Sequence, residues 1–232
     1  MKPKPIELYF WPTPNGRKIT IMLEECGLAY QVKLVDITKG DQFKPAFLAI
    51  SPNSRMPAIV DPGGPGKRAI SIFESGAILQ YLGRKAGKFY PARERARVEV
   101  DQWLFWQVAG LGPMAGQCHH FRNYAPQKIP YAIERYVNEV NRLYGVMNTR
   151  LKDREFLAGS YSIADIASYP WAKGWKNQGQ NISEFPHLAA WLERVGKRSK
   201  VVAGMSIGAN LWRTDLATDK EAQKILFGQR AR

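Results

Sequence analysis

The sequence predicts an α/β domain over residues 1–86, a linker over 87–93 and an all-α helical domain with a basic tail over 94–232. Three observations carry this division. A strand, a helix and a second strand fit between residues 6 and 37. Two short β-rich runs separated by a Gly/Pro-rich turn then precede another helix, and beyond residue 87 the strand signals give way to helical periodicity. A chain of 232 residues has room for two domains that each bury a core.

Each element has a local cause. Residues 6–10, Ile-Glu-Leu-Tyr-Phe, alternate and are β-rich. Pro12, Pro14 and Gly16 force a turn. From Arg17 the apolar positions Ile19, Met22 and Leu23 share a helix face, and Gly27 sits where a left-handed residue ends a helix. Residues 30–37 read as a second strand, parallel to the first because a helix connects them. An irregular stretch, 51–57, precedes a short strand at 58–60, a turn at 61–66 and a strand at 69–73, the spacing of a hairpin. A helix opens at Glu74-Ser75-Gly76 and runs through Leu79 and Leu82.

In the second half, long helices are predicted over 94–118 and 130–153. The latter keeps Ile133, Tyr136, Val137, Val140, Leu143, Tyr144, Met147 and Leu151 on one stripe. Ser162-Ile163-Ala164-Asp165 is a capping box that opens a shorter helix, and another covers 186–198. The tail from 205 to 232 has one weakly helical piece and a basic end.

Composition narrows the function classes. The net charge of +14 comes from 34 Lys and Arg against 20 Asp and Glu, scattered with no run of four or more. That is a basic soluble surface rather than a phosphate-tracking patch, and its field draws anionic small ligands. No apolar run reaches the ~18–20 residues that span a bilayer. Met1-Lys2-Pro3-Lys4-Pro5 is basic, but no apolar signal core follows. A cytoplasmic protein with neither membrane nor nucleic-acid partner is expected. Cys26 and Cys118 form neither a disulfide framework nor a zinc spacing, and no metal is expected. Without a Cys-x-x-Cys, redox chemistry has to borrow its sulfur from outside the chain.

Three separated features converge if the first domain is thioredoxin-like. Asn15 and Gly16 stand where a strand hands over to a helix, whose free amides and partial positive charge favour a thiolate. Thr13 adds a hydroxyl and Asn15 an amide; a plain loop with a capping Asn fits the same residues. Arg55-Met56-Pro57 introduces a strand, and a cis Pro57 there turns the preceding backbone outward to pair with an extended peptide. Glu74-Ser75 opens a helix, where a carboxylate, a hydroxyl and free amides suit an amino-acid zwitterion. An ordinary Ser cap fits it too.

Taken together, residues 6–82 resemble the N-terminal domain of the glutathione transferase superfamily. The matching pieces are Pro14-Asn15-Gly16, Ser51-Pro52-Asn53, Met56-Pro57-Ala58-Ile59 and Phe73-Glu74-Ser75-Gly76-Ala77-Ile78. The helical half matches through Phe156-Leu157-Ala158-Gly159 and Ser162-Ile163-Ala164-Asp165. Closer still, the chain resembles the nu class, bacterial disulfide-bond oxidoreductases related to a yeast nitrogen regulator. Lys39-Gly40-Asp41-Gln42-Phe43, Trp103-Leu104-Phe105-Trp106-Gln107-Val108, Gly110-Leu111-Gly112-Pro113-Met114 and residues 130–136 carry that likeness.

The resemblance implies the glutathione transferase fold, an α/β thioredoxin-like N-terminal domain plus an all-α C-terminal domain, and a homodimer. It implies glutathione, reduced or as the disulfide, as co-substrate, with a small disulfide or electrophilic substrate. Met56 before a cis Pro57 would pair with the cysteinyl unit, Glu74 and Ser75 would hold the γ-glutamyl end, and Gln42 and Arg55 would lie along the peptide. Thr13 and Asn15 would meet the sulfur. A second glutathione would meet the helical domain at Arg135, with His120 and Asn123 as weaker candidates; a solvated helix charge is the plain alternative for Arg135.

Other residues have plainer readings. Tyr9 falls where several transferase classes keep a catalytic tyrosine, but it lies mid-strand and reads as packing. Cys26 reads as a small buried hydrophobe, and Trp103 and Trp106 as core. His119 and His120, adjacent on a helix, point about 100° apart and cannot clamp a metal together. Glutathione-dependent disulfide reduction is the expected activity. Conjugation to electrophiles, hydroperoxide reduction, or a non-catalytic regulatory role on the same scaffold are the alternatives.

Overall fold

β1 (Ile6–Phe10) is the strand from which the sheet is built, because Ile6, Leu8 and Phe10 alternate inward. In the computed structural model, which describes residues 4–211 and 215–230, the sheet runs β2 (Tyr30–Leu34), β1, β3 (Ala58–Asp61), β4 (Ile70–Phe73). Met1-Lys2-Pro3 of the basic N-terminus, residues 212–214, and Ala231 and Arg232 of the basic tail lie outside the described residues. β1 and β2 are parallel, with Ile6 opposite Tyr30, and β1–β3 and β3–β4 are antiparallel. The expected parallel pair and hairpin are both present. β2 ends at Leu34, short of the expected residue 37.

α1 (Pro14–Cys26) starts ahead of Arg17. Thr13 caps it by accepting from the Gly16 N–H at 3.2 Å, and Pro14 occupies a first-turn position that needs no N–H partner. Gly27, at φ +69°, closes it. The sequence shows one apolar face, but residues 16–23 are all buried. The sheet covers one side of α1, while α3 (Ser75–Ala86), α7 (Ile163–Ala172) and α9 (Ser199–Ser206) cover the rest. Its buried polar groups therefore need partners. The Thr20 hydroxyl donates to the Gly204 carbonyl at 2.8 Å, and the Arg17 guanidinium to the carbonyls of Met205 and Ile207. α9 closes this tightly on α1 because residue 204 is glycine: a Cβ there would sit 2.6 Å from Ile21 backbone.

Between β2 and β3 lies a short α2 (Pro45–Leu48). The helical half opens with α4 (Glu94–Trp106). The single helix expected over 94–118 is instead α4, a π-helical turn over residues 107–111, and α5 (Gly112–His119). A second π turn spans 120–124. Neither was expected from the sequence, which reads each stretch as continuous helix or as loop. α6 runs Pro130–Arg150, and α8 runs Pro186–Gly196, ending short of the expected 198. The weakly helical tail piece is α10 (Lys220–Phe227), capped by Asp219.

α7 is anchored by the expected capping box. The buried Asp165 carboxylate accepts from the N–H groups of Ser162 and Leu157, both at 3.1 Å, and from the Trp191 indole at 2.9 Å. Asp165 thus ties the entry of α7 to α8 and to the preceding loop. Removing it strands three buried donors. Asp165→Ala is expected to lower unfolding stability by about 3–5 kcal/mol, and Asp165→Asn by less, since an amide oxygen still accepts. Urea denaturation reads both, and a loss below about 1 kcal/mol for the alanine variant would contradict the anchoring role.

Candidate functional site

The head of α1, the segment before β3, the start of α3 and the helical half enclose a cleft of two connected chambers. The polar chamber, about 240 Å³, is lined by Asn15, Asn53, Arg55, Met56, Pro57, Glu74 and Ser75. The wider one, about 390 Å³, shares Asn15, Arg55 and Met56. Trp11, Thr13 and Gln42 line its α/β side, and His119, Tyr124 and Trp171 its helical side. Leu216, Leu226, Phe227 and Gln229 of the tail close it.

In the polar chamber, Glu74 rather than Ser75 occupies the cap position of α3, and its side chain makes no capping bond. Its φ of +67° is a strained conformation for a residue with a Cβ, costing on the order of 1–3 kcal/mol. The carboxylate accepts from the Asn53 amide at 3.2 Å. Ser75 is the first residue of α3, so its own N–H is among the amides that the helix leaves free. Behind it stands a cation. Lys18 of α1, 2% exposed, donates to Ser75 Oγ at 3.2 Å and to Gln107 Oε1 at 2.6 Å. Burial pulls the Lys18 ammonium down to about 7, against the opposing field of Glu74.

At the head of α1 the peptide bond Met56–Pro57 is cis. Met56 Sδ accepts from the Trp11 N–H at 3.2 Å and faces the Thr13 hydroxyl at 3.8 Å. The Thr13 oxygen is already engaged as the cap of α1, so the hydroxyl proton is what reaches toward sulfur. Asn15 Oδ1 accepts from the Trp171 indole N–H at 3.0 Å. An indole N–H only donates, so the Asn15 carbonyl must face it and the amide NH₂ is left for the cleft. Gly112 and Gly116 of α5 lie alongside that indole. Gly16 is constrained, because a Cβ there would lie 2.2 Å from the Trp11 carbonyl oxygen.

The cleft thus brings together Thr13, Asn15, Gln42, Arg55, Met56, Pro57, Glu74 and Ser75. Gln42 is buried; its amide donates to the Ile37 carbonyl at 3.1 Å, and its Oε1 has no partner among the described residues. Arg55 donates to Gln229 Oε1 of the tail at 2.6 Å. Arg135 lies elsewhere, exposed on α6 and 3.9 Å from Glu139, and is not among the lining residues. His119 lines the wider chamber, whereas the His120 ring packs 4.5 Å from Phe227. Burial lowers the pKa of both histidines. The Asn123 amide is spent on the carbonyls of His119 and Asn177.

The remaining candidates stay outside. The Tyr9 hydroxyl donates to Glu7 Oε2 at 3.2 Å, and Trp103 packs on Trp106; none of them lines the cleft. Cys26 and Cys118 are buried, and burial pushes both thiols up to about 11. Among the described residues no cluster of three His, Cys, Asp or Glu side chains could hold a metal. Sequence reasoning missed Lys18, Gln107, Trp171 and the tail. Lys18 had no local signal, because a lysine one turn into a helix reads as solvated until other elements cover it. Trp171 had none, since its partner is 156 residues away.

Comparison with known proteins agrees with this geometry. The family model for the glutathione S-transferase N-terminal domain matches residues 13–85, and that for the C-terminal domain matches 122–198. The disulfide-bond oxidoreductase YfcG of Escherichia coli is 52% identical over 204 residues, 87% of this chain and 94% of that protein. A glutathione transferase from Pseudomonas putida, solved with one glutathione disulfide per subunit, superposes with a TM-score of 0.85 at 40% identity. That match covers 89% of this chain and 93% of the other. A family member from Pseudomonas fluorescens, solved with two glutathiones bound, gives 0.83 at 42% identity, covering 88% and 94%. Matched by the family's models in both halves, and sharing half its residues with a relative along nearly that protein's whole length, the chain belongs to the glutathione S-transferase family.

Proposed function

We propose that this protein is a glutathione-dependent disulfide-bond oxidoreductase, in which the bound tripeptide supplies the reactive sulfur. The observation that carries the reading is a cleft rich in donors and without a thiol of its own. Trp11 N–H, the Thr13 hydroxyl and the Asn15 amide converge at the head of α1, while both cysteines are buried outside it. Such donors stabilise a thiolate and lower the pKa of its thiol.

In this reading Glu74 pairs with the α-ammonium of the γ-glutamyl unit and Ser75 with its carboxylate. The Met56 backbone pairs with the cysteinyl unit, and Gln42 and Arg55 lie along the peptide. The glutathione thiolate attacks one sulfur of a disulfide, forming a mixed disulfide and releasing the other sulfur as a thiolate that takes up a proton. A second glutathione thiolate then attacks the glutathione sulfur of the mixed disulfide. Glutathione disulfide forms, the substrate's remaining thiol leaves, and two electrons have passed from two glutathiones. The wider chamber accommodates the second reactant. A homodimer in the cytoplasm completes the proposal, supported by family membership.

A second reading, conjugation of glutathione to an apolar electrophile, is favoured by one observation: Trp11, Tyr124, Leu226 and Phe227 make much of the wider chamber apolar. Turnover of a chlorinated aromatic that exceeds turnover of hydroxyethyl disulfide would select it.

With hydroxyethyl disulfide and glutathione, Asn15→Ala and Thr13→Ala are each expected to lower kcat by roughly 10–100-fold, as when one hydrogen bond to a charged group is lost. Glutathione affinity should be largely retained, and Cys26→Ala and Cys118→Ala should keep full turnover. Unchanged kcat in both donor variants, or loss of activity with either cysteine, would overturn the reading. Trp171→Phe frees the Asn15 amide to turn, so kcat should fall about tenfold with KM for glutathione little changed. Steady-state kinetics separates the two parameters.

A further inference from the structure

Lys18 sits in the first half of α1, closed off from solvent between the two halves of the molecule. Its ammonium is held by two neutral groups, Ser75 Oγ from α3 and Gln107 Oε1 from the first π turn. Among the described residues it makes no ion pair, and the Gln107 amide beside it has no partner. Burying a cation with only neutral groups in contact is costly, and such a perturbed charge beside a cleft marks a functional candidate. The polar chamber lies on the other side of Ser75.

We propose that Lys18 is a positioning residue for the anionic end of the ligand. Acting through Ser75, it turns the hydroxyl proton toward the chamber and supplies the charge that a γ-glutamyl α-carboxylate meets. The proposal deepens the glutathione reading of the chamber and rests on it. Because Lys18 Nζ donates to Ser75 Oγ, that hydroxyl keeps its own proton for a ligand. An anion beyond the hydroxyl then stabilises the ammonium.

One consequence is proton uptake. Without ligand the ammonium titrates at about 7, and a nearby carboxylate raises that value. The anion therefore binds the protonated form better, and affinity falls as pH rises from 7 toward the bound-state value. The ligand's own α-ammonium also titrates in this window, and Lys18→Met separates its share from the lysine's; the protein's other nearby charges are engaged elsewhere. Glu74 at the head of α3 is the charged group whose field reaches Lys18. On α1 itself Arg17 turns to the carbonyls of Met205 and Ile207. On α7 Asp165 is occupied by its capping box and Trp191, and on α9 Lys200 pairs with Glu24. His119 and His120, lowered from 6.5 by burial, are neutral above pH 7.

The test is calorimetric titration with S-methylglutathione, whose blocked thiol cannot release a proton, at pH 7–9 in two buffers of different ionisation enthalpy. Wild-type protein should take up a fraction of a proton per site, and its affinity should fall about tenfold from pH 7 to 9, as one pKa unit or more of coupling requires. Lys18→Met should take up none of this proton and bind about tenfold more weakly at pH 7, the gap closing by pH 9. A variant that melts earlier but keeps the wild-type pH slope would show a merely structural lysine and overturn the proposal. If Lys18→Met does not fold, wild-type protein decides alone: binding without proton uptake and with flat affinity overturns it. If wild-type protein binds no S-methylglutathione at any pH, the glutathione reading falls and takes this proposal with it.

Discussion

The cleft depends on one constraint: three of the polar side chains facing it have their acceptor ends occupied from behind. The cap bond from Gly16 N–H engages the Thr13 oxygen, the Trp171 indole engages the Asn15 carbonyl, and the Lys18 ammonium engages Ser75 Oγ. A hydroxyl or amide so held has only its donor end left for a ligand. At these three positions the cleft therefore presents donors rather than acceptors, beside the Arg55 guanidinium. Orientation of this kind costs no reorganisation when charge arrives, which is what distinguishes a prepared site from a merely polar one.

One of those three backing contacts, and a further bond behind another, tie the halves of the chain together. Trp171 reaches Asn15 from α7, and Gln107 reaches Lys18 from the π turn between α4 and α5. The π turn matters because Gly112 sits directly behind Gln107: a Cβ there would fall 2.9 Å from Gln107 Nε2. Gly112 and Gly116 also run alongside the Trp171 ring. Donor orientation is consequently a property of the packed pair of halves and not of the α/β half alone. The tail extends the same logic, since Arg55 of the α/β half meets Gln229 while Phe227 packs on His120.

What was legible in the sequence follows from what is local. β1, the hairpin, the capping box at Ser162 and the stripe of α6 are each specified by neighbours within a few residues, and each appears where expected. Thr13, Asn15 and Glu74-Ser75 were readable for the same reason, being turn and helix-start residues. Lys18 was not, because a lysine one turn into a helix reads as solvated until α3 and the helical half cover it. Trp171 and the tail depend on contacts across most of the chain. Arg135 illustrates the converse: its sequence context resembles the family closely, yet its position on α6 directs it to Glu139 and solvent.

The placement of the two cysteines follows from the same physics as the donors. A thiolate that exchanges with disulfides reacts with any accessible sulfur, so a protein relying on a ligand's sulfur gains from withholding its own. Cys26 and Cys118 are buried among apolar side chains, and that burial pushes their thiols to about 11, leaving almost no thiolate near neutrality. Met56 provides the complementary case. Its thioether sits against Trp11 N–H and Thr13, so the head of α1 already accommodates a sulfur, but one that cannot ionise. Within one cleft, then, the chain presents donors suited to a sulfur anion and offers no sulfur able to become one. In the proposed reading, the nucleophile arrives with the ligand.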